Sequence, residues 1–128
     1  MTELEYPQVR GVAPGNGYSH VVTGTGQWVA VSGQLALDAD GTLVGAGDAG
    51  AQAEQVFANL ERCLAAAGTT FESVVKLTFF LTDVSHLPAI RTVRDKYIPG
   101  PKPASTAVQV AALAVPGALL EIEAYAII

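Results

Sequence analysis

The side chains of this 128-residue chain best suited to chemistry are two carboxylates near its end. In Leu119-Leu-Glu-Ile-Glu-Ala-Tyr-Ala-Ile127, apolar residues alternate with Glu121 and Glu123, the period of a half-buried strand. Both carboxylates therefore leave one sheet face, about 7 Å apart. A carboxylate held in a partly dry cleft can orient a water molecule and take its proton. Buried charges need partners, and Lys76 is the expected partner of Glu123 across the sheet. Other reactive side chains have plainer readings. Cys63 has no histidine or other base near it in sequence and reads as a small core residue. His20 and His86 show neither metal-ligand spacing nor a Ser-His-Asp pattern, and read as surface or hydrogen-bonded residues. Asp38-Ala-Asp-Gly41 opens like a calcium loop but lacks the later ligands and the closing glutamate, so it reads as a turn. No metal site is predicted.

Composition bounds what such a site can serve. The length suits one domain over residues 1–128. Half the residues are hydrophobic and only 15% are charged, which excludes disorder and leaves more apolar surface than a small monomer easily hides. A net charge of −5, with seven scattered basic residues, argues against nucleic acid or an anionic membrane as partner. One cysteine cannot build a disulfide framework or a cysteine zinc site, and a reducing compartment follows. Met1-Thr-Glu-Leu-Glu-Tyr-Pro7 has neither the apolar run of a secretory signal nor the arginines of a transit peptide, so the expected location is the cytoplasm. The uncharged stretch from Pro103 to Leu120 is broken by Gln109 and Pro116-Gly117, which argues against a transmembrane segment.

The elements that must position these residues follow from periodicity. A Pro- and Gly-rich loop over residues 1–17 leads to strands at Ser19 to Thr23 and Trp28 to Ser32, joined as a hairpin by Gly24-Thr-Gly26. A short third strand is expected at Gln34 to Leu37. Ala53, Val56, Phe57, Leu60 and Leu64 define an amphipathic helix from Asp48, its N-cap, to Ala67, with Gly68 in the left-handed position beyond. A strand at Val74 to Thr82 buries Val75, Leu77, Phe79 and Leu81. A second helix from Ser85 buries Leu87, Ile90, Val93 and Tyr97, carries Pro88 in its first turn, and ends at Pro99-Gly-Pro-Lys-Pro103. Strands at Ser105 to Leu113 and Ala118 to Ile127 complete an α+β fold, with both helices on one face of a mixed sheet. The other face is too apolar for water and too polar for a monomer core, so other subunits are expected to cover it.

Six segments in this order and spacing resemble the RidA/YjgF family. They are Gly17-Tyr18-Ser19-His20, Val29-Ala-Val-Ser-Gly-Gln34, Ala65-Ala-Ala-Gly68, Val74-Val-Lys-Leu-Thr-Phe-Phe-Leu-Thr-Asp83, Lys102-Pro-Ala-Ser-Thr-Ala-Val-Gln-Val110 and Glu121-Ile-Glu-Ala124. The resemblance implies a chorismate-mutase-like subunit, a relative of the ferredoxin-like folds, with one mixed six-stranded sheet. It also implies a homotrimer with clefts between subunits. Its activity would be hydrolysis of reactive enamines and imines, such as 2-aminoacrylate, to a 2-keto acid and ammonia without cofactor or metal. Carried over by position, the family's water-positioning glutamate is Glu121, its pocket tyrosine Tyr18 and its pocket serine Ser32, with Gly33 and Ala107 also lining the pocket. The arginine that binds the substrate carboxylate bidentately falls on Ser105, which cannot reproduce that fork. A cleft-lining asparagine falls on Arg91, the residue placed to restore the missing charge.

The expected function is therefore hydrolytic deamination of a small enamine, imine or related conjugated metabolite other than 2-aminoacrylate. The alternative is a small-molecule-binding or regulatory trimer that has lost the chemistry along with the arginine. An endoribonuclease or translation inhibitor, an activity attributed to some relatives, fits the acidic charge least.

Overall fold

The computed structural model describes residues 3–128, so the first two residues of the stretch searched for a leader lie outside it. The first helix, α1 (Ala49–Ala66), is capped as its sequence predicts: Asp48 Oδ1 accepts from the Ala51 amide at 3.0 Å. Ala53, Val56, Phe57, Leu60 and Leu64 are sealed from solvent along one stripe. Gly68, with φ +84°, turns the chain away while its amide closes on the Ala65 carbonyl at 2.9 Å. The second helix, α2 (Leu87–Tyr97), has Pro88 in its first turn. It follows a separate 3₁₀ turn, Val84–His86, whose Ser85 amide is held by Asp83 Oδ1 at 2.8 Å. The helix expected from Ser85 thus begins two residues later.

Four strands form the sheet: β1 (Trp28–Gln34), β2 (Val74–Leu81), β3 (Ala104–Gln109) and β4 (Leu120–Ile127), in the order β1-β4-β2-β3. β4 runs antiparallel to both β1 and β2, and β2 runs parallel to β3 with α2 as the crossover. The six strands expected from sequence are corrected to four, because side chains and loops distant in sequence claim the groups that two ladders need. Residues 19–23 make isolated bridges, Ser19 to Ala104 and Thr23 to Glu5, and no hairpin with β1. The Ser19 amide and Oγ are bound instead to the Pro103 and Lys102 carbonyls at 3.2 and 2.6 Å. At the expected third strand, Asn59 Nδ2 donates to the Leu35 and Leu37 carbonyls at 3.1 and 2.9 Å, occupying acceptors that a neighbouring strand would use. The last two strands are also shorter than expected. β3 ends at Gln109, and the Leu119 amide is taken by Gln52 Oε1 at 2.8 Å before β4 begins.

Asp38-Ala-Asp-Gly41 is a turn closed by the Gly41 amide on the Asp38 carbonyl at 3.0 Å, with Gly41 at φ +82°. Asp38 Oδ1 accepts from the amides of Asp40 and Thr42, which commits it to the backbone. Both helices lie on one sheet face, over a core that includes Leu77, Phe79, Leu81, Leu120, Ile122, Ala124 and Ala126. The opposite face is open. It carries Lys76, Thr78, Phe80, Thr106, Val108, Glu121, Glu123 and a stacked Trp28–Tyr125 pair whose ring centroids are 5.2 Å apart. Trp28 is 60% exposed there. The expected Lys76–Glu123 pair does not form. A register shift between Val74 and Lys76 sets Lys76 beside Tyr125 and Glu123 beside Thr78, and Lys76 Nζ donates to Thr106 Oγ1 at 2.6 Å. Among the described residues, no helix is long and apolar enough to cross a membrane.

Candidate functional site

Glu121 stands on the open face of β4, next to Phe80 of β2. On its other side β1 is irregular between Val31 and Gln34, and Ser32 and Gly33 occupy that irregularity. Gly33 is what lets the carboxylate lie there, since a Cβ built on it would sit 2.7 Å from Glu121 Cδ. The sequence thus pairs the two residues for a steric reason invisible from either alone. No donor among the described residues bonds the Glu121 carboxylate, so its oxygens are uncommitted. Beside it, the unpaired edge of β1 forms a groove with α1, about 570 Å³ in volume, whose lining includes Gly33, Gln34, Asn59, Arg62 and Cys63. Cys63 is half-buried, packs against the core and is a free thiol.

The remaining candidates gather at the far edge of the sheet. Ser105 lies beside Leu77 and Ala107 beside Phe79, so both point to the helix-bearing face. Tyr18 is tied to the start of this strand by its neighbour Ser19, which bridges to Ala104. The Tyr18 ring meets His20 edge-on at 5.3 Å, and His20 Nε2 donates to the Ala13 carbonyl at 2.6 Å, so His20 is a hydrogen-bonded residue as expected. Arg91 is half-buried on α2, above the face to which Ser105 and Ala107 point, and makes no hydrogen bond or ion pair among the described residues. Arg94, one turn on, is the residue that sequence reasoning missed. It is absent from the stripe expected of this helix yet is only 5% exposed, whereas Leu87 and Tyr97 of that stripe are half-buried. Its spacing is the available signal, since four residues after Ile90 it falls on the same buried helix face.

Two groups therefore form. Ser32, Gly33 and Glu121 are together at one edge, and Tyr18, Ser105 and Ala107 are at the other, while Arg91 stays on α2, joined to neither by a hydrogen bond or ion pair among the described residues. Within the chain they do not meet: β4 and β3 are two strand spacings apart, about 10 Å, and Glu121 and Ser105 leave opposite faces.

An α+β fold of this topology is shared by several solved proteins. Residues 10–128 match the family described as Endoribonuclease L-PSP, and the chain belongs to that family, the Rid/YjgF proteins. It is 40% identical to protein DfrA of Myxococcus xanthus over 111 residues, 86% of this chain and 84% of that one. The structure of YyfB from Yersinia pestis, a Rid-family protein of unknown function, superposes with a TM-score of 0.88 at 35% identity, covering 98% of each chain. RidA from the Antarctic bacterium Psychrobacter sp. PAMC 21119 gives a TM-score of 0.75 at 37% identity, over 97% of this chain and 99% of that one.

Proposed function

We propose that the protein hydrolyses a small reactive enamine or imine to a carbonyl compound and ammonia, in clefts formed between copies of the chain. The observation that carries this reading is Glu121 lying over Gly33 with its oxygens uncommitted. The enamine reacts as its imine tautomer: Glu121 takes a proton from water as the water oxygen attacks the imine carbon and passes it to the nitrogen, and the carbinolamine hydroxyl then gives up its own proton to that nitrogen as the C–N bond breaks, leaving the carbonyl compound and ammonia. The split between edges supports a site shared by copies. If β3 of one copy lies beside β1 of the next, Ser105, Ala107, Tyr18 and Arg91 of one face Ser32, Gly33 and Glu121 of the other. Such a contact joins unlike surfaces, and three copies closing it into a ring give a homotrimer. The same packing covers the apolar open face around Trp28, Tyr125 and Val108. The site works in the cytoplasm, without cofactor or metal and without nucleic acid as partner.

Ser105 sets the substrate. With no guanidinium at this position, a 2-aminoacrylate-like acid loses its bidentate anchor, and Arg91, the uncommitted cation on α2, is left to meet a substrate of different shape. Ser105 also favours a second reading, a trimer that binds a small metabolite without turning it over. Ammonia release from enzymatically generated 2-aminoacrylate and from 2-aminomuconate-type enamines, with Glu121→Ala as control, separates the two. Turnover of an enamine by the native chain and not by the variant supports the deaminase. Equal rates for both remove Glu121 from the reaction, and binding without ammonia favours the second reading.

A further inference from the structure

Arg94 is a buried cation whose one hydrogen-bonding partner among the described residues is Asp95. Its Nε and Nη2 donate to one oxygen of the adjacent Asp95, at 3.0 and 2.8 Å, and its side chain is 6% exposed. Burying a guanidinium costs desolvation that an apolar side chain of the same length would avoid, so packing alone is a poor reason for it. What it touches is the loop carrying Tyr18. A Cβ built on Gly17 would lie 2.9 Å from Arg94 Nη2 and 3.6 Å from Nη1, so the guanidinium is laid against the Gly17 backbone. Gly17 also has φ +79°, a conformation that favours glycine for a second reason.

On the other side of Tyr18, Ser19 is bound to the carbonyls of Lys102 and Pro103. Lys102 belongs to the same unit: its Nζ donates to the Ile98 carbonyl and lies 3.4 Å from Asp95 Oδ1. Tyr18 is thus held from both flanks by the last turn of α2 and the segment leaving it. Gly15 and His20 fix it within its own loop, a Cβ on Gly15 falling 3.4 Å from Tyr18 Cε2. We propose that Arg94 is a positioning residue for Tyr18, setting the place of the Ala13–His20 loop through its contact with Gly17. The proposal rests on the reading of Tyr18 as a cleft residue of the deaminase, and Arg94 itself touches no substrate.

The test compares Arg94→Ala and the volume-conserving Arg94→Lys with Arg10→Ala, a change at an exposed arginine. Amide hydrogen exchange should rise about tenfold or more for residues 13–20 in both Arg94 variants, with β2 and α1 unchanged. The kcat/KM for whichever of enzymatically generated 2-aminoacrylate and a 2-aminomuconate-type enamine turns over faster should fall about 10- to 100-fold in Arg94→Ala, the scale of a misplaced contact. Combined with Tyr18→Phe it should fall no further than in the worse single variant, because both act through one group. Arg10→Ala should change neither. A loop that stays protected in both Arg94 variants, or losses that multiply in the double variant, would overturn the proposal. Absence of enamine turnover by the native chain overturns the deaminase reading instead, and exchange then still decides whether Arg94 holds the loop.

Discussion

Leu120, Ile122, Ala124 and Ala126 are sealed from solvent under the two helices, while Glu121, Glu123 and Tyr125, alternating with them on β4, stay half-buried on the opposite face. The first set meets its neighbours within the chain and is satisfied there by burial. The second set is not: a free carboxylate, a stacked aromatic pair and an uncovered apolar strip share a surface that the fold leaves open. One strand thus serves stability on one side and, under the proposed function, recognition on the other. Substitutions on its two sides should change different measurements.

Adjacent residues give the largest contrast. Glu121→Gln keeps size and hydrogen-bonding capacity but cannot accept the proton, so ammonia release should fall about 100- to 10,000-fold. The urea midpoint should hardly move, since no partner among the described residues depends on that charge. Ile122→Ala should do the reverse. It opens a hole beneath α1 and β2, costs about 2–5 kcal/mol of stability in urea unfolding, and leaves the rate of the protein still folded nearly unchanged. A Glu121→Gln protein that keeps its rate would break the contrast.

The helix-bearing face was legible because one chain decides it. Alternation in Val75, Leu77, Phe79 and Leu81 marks the buried side of β2, and Asp48 and Gly68 mark both ends of α1. The edges were not legible, because their backbone groups have partners far along the chain. Nothing in Gln34 to Leu37 announces that Asn59 will take the Leu35 and Leu37 carbonyls, and nothing in Ser19 to Thr23 announces the Lys102 carbonyl. Candidate residues were legible singly, by their resemblance to family motifs. Their separation was not, since it depends on the register that sets Ser105 beside Leu77 and Glu121 beside Phe80. Arg94 escaped for a related reason: only the folded loop brings Gly17 over its guanidinium.

A smaller effect is expected at the β3 edge. Ser105→Arg supplies the fork that the resemblance calls for, and a charged hydrogen-bonded contact is worth about 1.5–3 kcal/mol, or roughly 10- to 150-fold in affinity. KM for a carboxylate-bearing enamine should fall by that order, while Ser105→Ala should leave it within about twofold. If the arginine instead weakens that substrate, Ser105 is not at the carboxylate end of the cleft.

The smallest effect concerns the turn of α2 that carries the Tyr18 loop. Burial alone would raise the Asp95 pKa, but the hydrogen bond and charge of Arg94, with Lys102 behind them, hold it below the usual carboxylate range. A carboxyl group whose pKa is lowered by folding stabilises the fold fully above its unfolded pKa near 4, and that contribution is lost as pH falls through the lower folded value. Asp95 is 53% exposed, so solvent screens the interaction and its share is modest. Between about pH 6 and pH 3 the urea midpoint of the native chain should decline more steeply than that of Asp95→Asn, and added salt should narrow the gap. Asp83, also lowered by its hydrogen bonds with Ser85, titrates in both proteins and cancels from the comparison. Two parallel curves would mean that the Arg94–Asp95 pair adds nothing to the fold, leaving contact with Gly17 as what the buried guanidinium contributes.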